Sequence, residues 1–271
     1  MFEHDALRLS TTARSVLGTD LPLIGEDVTI EHFLAHRSGI GDYLDEEADH
    51  EITDYVLTVP VHELLTEQYL AVLDGHPTKF APDERFSYCN SGYVVLALIA
   101  ERVSGVLFHD LVRQRVCVPA GMCDTDFLRF DEVPERTAVG YLPNRRCVED
   151  ERLPPADTGQ RRRRDLLKTA DVSIFWRSLF AGRIVSSGWV TEMVRPRSEV
   201  PSESMRYGLG FWLHRSSAVV MLEGSSPSAR LVMGEDLGSS RASGSGGRSL
   251  RVPHGQDDNN DEDLHCQRQA R

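Results

Sequence analysis

Apolar positions recur at helical spacing through the first two thirds of the chain, in bursts with clear stops. Thr29 followed by Ile30, Phe33 and Leu34 predicts a short capped helix with one apolar stripe, stopped at Ser38-Gly39. Val61, Leu64, Leu65, Val72 and Leu73 predict a second amphipathic helix, with Pro60 near its first position and Gly75 just past its end. Ser91 to Ser104 carries Tyr93, Val94, Val95, Leu96, Leu98, Ile99 and Val103 and is closed by Gly105, so a helix apolar nearly all round, and buried, is expected there. A further helix is expected over Leu107 to Val116, ending before Pro119-Ala-Gly121-Met122. From Asp171, the run Val172, Phe175, Trp176, Leu179 and Phe180 falls at i, i+3, i+4, i+7 and i+8, with Gly182 as the stop.

The pattern then changes period. Tyr207 to Leu213 and Ala218 to Leu222 read as two strands joined by the polar turn His214–Ser217, a hairpin of an antiparallel sheet. After Gly224, Ser, Gly and Arg dominate, and Asp257 to Asp263 offers almost nothing to bury, so residues 225–271 are expected to form a disordered tail. A smaller break of the same kind covers Pro154 to Asp165. The expected organisation is one α+β domain over residues 1–224, an antiparallel sheet flanked by helices, followed by that tail.

Composition narrows the function. A net charge of −12 argues against a nucleic-acid partner, because Arg161 to Arg164 is too short to make a basic stripe. Five cysteines without a C-x-x-C pair suggest neither a disulfide framework nor a zinc knuckle. Met1-Phe-Glu-His-Asp-Ala has no basic region and no apolar stretch, and no apolar run approaches the roughly 20 residues of a membrane span. The expectation from the sequence as it stands is a cytoplasmic protein without a membrane span.

Chemistry concentrates in four blocks. They are Thr29-Ile-Glu-His-Phe-Leu-Ala-His36-Arg-Ser38-Gly39, then Phe80-Ala-Pro82-Asp-Glu-Arg-Phe86-Ser-Tyr88-Cys-Asn90-Ser-Gly92-Tyr93, then Val103-Ser-Gly105, then Pro119-Ala-Gly121-Met122-Cys-Asp-Thr125. In this order they resemble the class C β-lactamase and penicillin-binding-protein family of serine hydrolases, which includes D-alanyl-D-alanine carboxypeptidases and esterases. Arg136 to Tyr141 and Tyr207 to Trp212 extend the resemblance to about Gly224. The resemblance implies a fold of that type and a three-part site: a serine in Ser-x-x-Lys, a Tyr-x-Asn loop, and a Lys-Thr-Gly or His-x-Gly strand. It also implies a small-molecule or peptide substrate with an amide or ester bond, attacked through an acyl-enzyme, and no cofactor or metal. By carry-over, Tyr88 is the candidate base and proton relay and Asn90 the candidate substrate contact.

Two parts of that pattern are missing. Ser-x-x-Lys needs serine three places before a lysine, but His76 precedes Lys79 and Asp165 precedes Lys168, and these are the only lysines. In the family this motif lies well upstream of the Thr29 block, so the resemblance implies a chain truncated at its N-terminus, altered at its C-terminus, and inactive alone. Lys168-Thr169-Ala170 opens a predicted helix, not a strand, and His254-Gly255 falls in the low-complexity tail. Shifted reading frames over Pro154 to Asp165 and after Gly224 would account for both breaks.

Plainer readings stand beside these. Tyr88 can be a packing tyrosine, and Asn90 can cap the helix it precedes. His32 and His36 lie four apart as metal ligands do, but no Glu follows His32 and no third ligand is placed. Cys89 reads as a buried free thiol. The alternative to a hydrolase is a non-catalytic remnant or binding module that keeps the pocket wall.

Overall fold

A computed structural model of the chain describes residues 7–45, 66–129, 141–143, 148–150, 163–166, 169–226 and 229–236. The fold is α+β, a helical region set against an antiparallel sheet.

The helical region opens with α1 (Arg14–Leu17), followed by a loop wound around the Arg14 guanidinium, which donates to the carbonyls of Gly18, Asp20, Leu21 and Ile24 at 2.7–3.0 Å. Helix α2 (Ile30–Leu34) is capped as expected, and reciprocally: Thr29 Oγ1 accepts the His32 N–H at 3.4 Å while His32 Nδ1 accepts the Thr29 N–H at 3.2 Å. Of the second predicted helix, a 3₁₀ turn (Thr66–Tyr69) and α3 (Leu70–Leu73) are described, with Gly75 beyond at φ 83°; Pro60 to Leu65 lie outside the described residues.

Helix α4 (Asn90–Ser104) ends at Gly105, whose φ of 67° is the left-handed cap that glycine adopts without strain. Only one side of α4 is fully buried, contrary to the all-round expectation. Val95, Leu98 and Ile99 are shut off from solvent against Phe33 and Ile30, whereas 36% of Tyr93 is exposed. Each of those three core side chains contributes roughly 1.5–3 kcal/mol of apolar burial.

The next helix runs past its expected end. After α5 (Phe108–Val112) the backbone widens into a π turn (Arg113–Cys117) and continues as α6 (Val118–Ala120), with Gly121 at φ 80° as the stop. The widened turn carries the chain through Pro119, which has no N–H to donate, and the carbonyl of Cys117 accepts from both Gly121 and Met122.

Helix α7 (Thr169–Phe180) and α8 (Ser187–Met193) pack on the sheet, with Val172, Trp176 and Leu179 against Phe211, Leu213 and Val220. The sheet is a sequential antiparallel meander of β5 (Ser198–Val200), β6 (Met205–Tyr207), β7 (Trp212–His214), β8 (Val219–Ser226) and β9 (Ala229–Asp236). We number the two outlying pairs β1 (Asp126–Arg129) with β4 (Arg163–Leu166), and β2 (Tyr141–Pro143) with β3 (Val148–Asp150).

Three expectations change here. Tyr207 to Leu213 is two strands: the chain reverses over Gly208-Leu-Gly-Phe211, with Gly210 at φ 85°, and pairs Tyr207 with Trp212. The β7–β8 hairpin holds as expected, with Leu213 opposite Val220. Beyond Gly224, Ala229–Asp236 is ordered as an edge strand in register with β8, the apolar run Leu231-Val-Met233 suiting a strand despite its polar neighbours; residues 237–271 lie outside the described residues. Likewise Arg163–Leu166, expected as part of a break, pairs with β1, while residues 151–162 are outside. Among the described residues no single helix is long and apolar enough to cross a membrane.

Candidate active site

The candidate site lies where the loop after α2 meets the loop before α4. His36 has φ 52°, a left-handed conformation uncommon outside glycine and asparagine. The turn it makes sends Ser38-Gly39 under Phe80, and Gly39 is required there: at φ 67° a Cβ would fall 2.2 Å from the Phe80 carbonyl oxygen. Lys79 N–H donates to Gly39 O at 2.8 Å, locking this crossing.

Tyr88 sits between two residues that both bond to His36. Ser87 N–H donates to the His36 carbonyl at 2.9 Å, and Cys89 N–H donates to His36 Nδ1 at 3.1 Å. Because a backbone N–H can only donate, Nδ1 is the bare nitrogen and the imidazole proton is on Nε2. The rings confirm the packing: His36 lies 4.4 Å from Tyr88, 4.8 Å from Tyr93 and 5.1 Å from Tyr207, centroid to centroid, with Phe86 at 5.9 Å. Burial in this aromatic shell pushes the His36 pKa down to about 3, so the ring is neutral at physiological pH. Tyr88 itself is half-buried.

Two further phenols border Tyr88. Tyr93 Oη donates to Leu34 O at 3.0 Å and lies 3.5 Å from Tyr207 Oη. Burial pushes Tyr93 up to about 12 and raises Tyr207 well above the ordinary tyrosine value, so both stay protonated. Leu34 O also accepts the Gly210 N–H at 3.0 Å, and Arg37 Nη1 donates to Ser198 Oγ at 2.9 Å, so the helical region and the sheet are stitched together beside Tyr88.

Asn90 is half-buried, and its amide donates to Leu44 O at 3.0 Å. It does not cap α4 with its side chain. That role falls to Asp42, buried and 48 residues earlier: Oδ2 accepts the Asn90 N–H at 2.6 Å, and Oδ1 accepts both the Ser91 N–H and the Ser91 hydroxyl at 2.9 Å. A carboxylate there also suits the positive end of the helix dipole. Sequence reasoning passed over Asp42, which sat within a loop rich in Asp and Glu. Lys79 Nζ pairs with Asp45 Oδ2 at 2.7 Å close by.

His32 Nδ1 and His36 Nδ1 both accept backbone N–H groups, and among the described residues no three His, Cys, Asp or Glu side chains could hold a metal together. Cys89 is a buried free thiol raised to about 12, first by burial and then by the Asp42 charge, which suppresses the thiolate. Thr169 and Ala170 open helix α7, whereas Lys168 and His254-Gly255 lie outside the described residues. A mainly apolar cavity of about 480 Å³ opens between α5, the π turn and α8, lined by Phe108, Val116, Ile184, Trp189 and Leu209, with Leu34 at its edge; Tyr88 and Asn90 do not line it.

The loop bearing Tyr88 and Asn90 thus lies beside the junction of the helical region and the antiparallel sheet. The Beta-lactamase family profile matches residues 3–244, and the chain belongs to that family. It is 32% identical over 123 residues to penicillin-binding protein 4* of Bacillus subtilis (strain 168), covering 43% of this chain and 26% of that protein. It is also 32% identical over 116 residues to esterase EstB of Burkholderia gladioli, covering 42% of this chain and 29% of the esterase. The matches thus span about a quarter of these curated relatives. In three dimensions it superposes on the penicillin binding protein from Bacillus halodurans with a TM-score of 0.77 at 26% identity, over 88% of this chain and 73% of that one.

Proposed function

We propose that this chain carries the proton-transfer and substrate-orienting wall of a serine-hydrolase site that cleaves amide or ester bonds through an acyl-enzyme. The observation that carries the reading is the fixed, half-exposed pair Tyr88 and Asn90, anchored from the His36–Asp42 segment. In such a site a serine hydroxyl attacks the carbonyl and gives its proton to the phenolate of Tyr88. The tetrahedral adduct expels the amine or alkoxide, which takes that proton from Tyr88, and water then hydrolyses the ester. The Asn90 amide orients the substrate. Tyr93 and Tyr207, held protonated, serve as neutral neighbours and not as bases.

Ser-x-x-Lys occurs nowhere in the 271 residues, so by itself the chain forms no acyl-enzyme and acts, at most, as a binding module. A fluorescent penicillin and a fluorophosphonate test both halves of this reading. The 271-residue chain is expected to stay unlabelled. A longer chain in which a Ser-x-x-Lys segment precedes it is expected to label with both, and Tyr88→Phe in that chain to slow acylation about 10²- to 10⁴-fold. Labelling of a serine in the 271-residue chain would overturn the inactive half, and an undiminished rate in Tyr88→Phe would overturn the role of Tyr88.

A further inference from the structure

We infer that His36 and Asp42 are the positioning residues of the site, a two-point clamp that sets the direction of Tyr88 and Asn90 from outside their own loop. The inference deepens the functional reading and rests on Tyr88 and Asn90 being its working groups.

The geometry has two independent halves. His36 grips the peptide on either side of Tyr88, by its carbonyl at Ser87 and its ring at Cys89, and lays the same ring against the Tyr88 phenol. Only Tyr88 remains between the two grips, so rotation of its backbone would break one of them. Asp42 takes the N–H groups of the next two residues, Asn90 and Ser91, and Tyr43 N–H returns a bond to Ser91 Oγ at 3.0 Å. Four of the five consecutive backbone donors from Ser87 to Ser91 thus end on one short segment. The left-handed backbone of His36 is strained, and such a conformation persists where surrounding contacts over-determine it. The bare nitrogen of the buried imidazole is occupied by the Cys89 N–H, and its ring is packed among Tyr88, Tyr93 and Tyr207.

The clamp separates two substitutions of one residue. In His36→Asn the amide oxygen replaces Nδ1 as acceptor and the side chain tolerates the left-handed backbone; in His36→Leu the Cys89 N–H is left without an acceptor. Incorporated 3-fluorotyrosine, with the Tyr88 resonance assigned by Tyr88→Phe, reports ring exposure through its H₂O/D₂O shift and ligand contact through titration with benzylpenicillin. Expected is a Tyr88 resonance displaced toward the solvent-exposed value less in His36→Asn, which loses the ring contact but keeps the acceptor, than in His36→Leu, which also shows at least tenfold weaker response to benzylpenicillin; equal displacement in the two overturns the clamp. An unmoved resonance in His36→Leu overturns the clamp. A wild-type Tyr88 blind to benzylpenicillin overturns the functional reading instead, and the exposure comparison still decides the clamp. Where His36→Leu fails to fold, the through-hydrogen-bond ¹⁵N–¹⁵N coupling between Cys89 and His36 Nδ1 in the unaltered protein decides: its presence supports the clamp and its absence overturns it.

Discussion

Helices α2 and α4 solve the same problem, orphaned N–H groups at a helix start, in opposite ways. In α2 the cap is local: Thr29 and His32 exchange bonds three residues apart, and the helix needs nothing from elsewhere. In α4 the residue before the helix, Cys89, offers no side-chain cap, and the donors go to Asp42, a loop residue 48 positions from Asn90. A local cap stabilises one helix. A remote cap also welds two segments, so the start of α4, with Tyr88 and Asn90, is placed relative to the loop after α2 and through it to the sheet.

If that contrast is right, perturbing the remote anchor costs more than perturbing the local one. The largest effect is expected from acid. The folded-state pKa of His36, about 3, lies below the unfolded value of 6.5, so the unfolded chain binds the extra proton. Stability from this residue is therefore fully present above about pH 6.5 and is lost as pH falls toward 3, by about 5 kcal/mol at most. The titratable groups packed on the ring are the phenols of Tyr88, Tyr93 and Tyr207. Urea denaturation of wild type and His36→Asn between pH 7 and 4 is expected to converge as pH falls; parallel curves would remove the acid-sensitive half of the anchor.

Next comes Asp42→Ala, which strands two backbone donors and a hydroxyl in a buried site and is expected to lose about 2–4 kcal/mol, measured by urea midpoint at constant m-value. Thr29→Ala is expected to lose only about 1 kcal/mol. Equal losses would erase the distinction between the two caps. Smallest is Tyr93→Phe, which removes one hydroxyl donor from Leu34 O, a carbonyl that keeps the Gly210 N–H; about 1 kcal/mol or less is expected.

The same contrast explains what the sequence disclosed. Thr29, the apolar stripe of α7 and the glycine stops at Gly105 and Gly182 were legible because their signals are confined to one turn of chain. So was the position of Tyr88 and Asn90 at the entry to α4. Asp42 was not, because nothing in its neighbourhood distinguishes a carboxylate facing water from one facing a helix start dozens of residues later. The strand Ala229–Asp236 was missed for a related reason: its pairing with β8 comes from register, while its composition reads as tail. Pro119 misled in the other direction, since a π turn absorbs the proline that local rules treat as a stop.

Amide hydrogen exchange over residues 87–91 tests the central claim most directly, that one segment anchors the Tyr-x-Asn loop through backbone donors. The account predicts that the amides of Ser87, Cys89, Asn90 and Ser91 exchange as slowly as that of Val95 inside α4, although all four precede the first intrahelical bond. Exchange of these four at the rate of an open loop, with Val95 still protected, would contradict it.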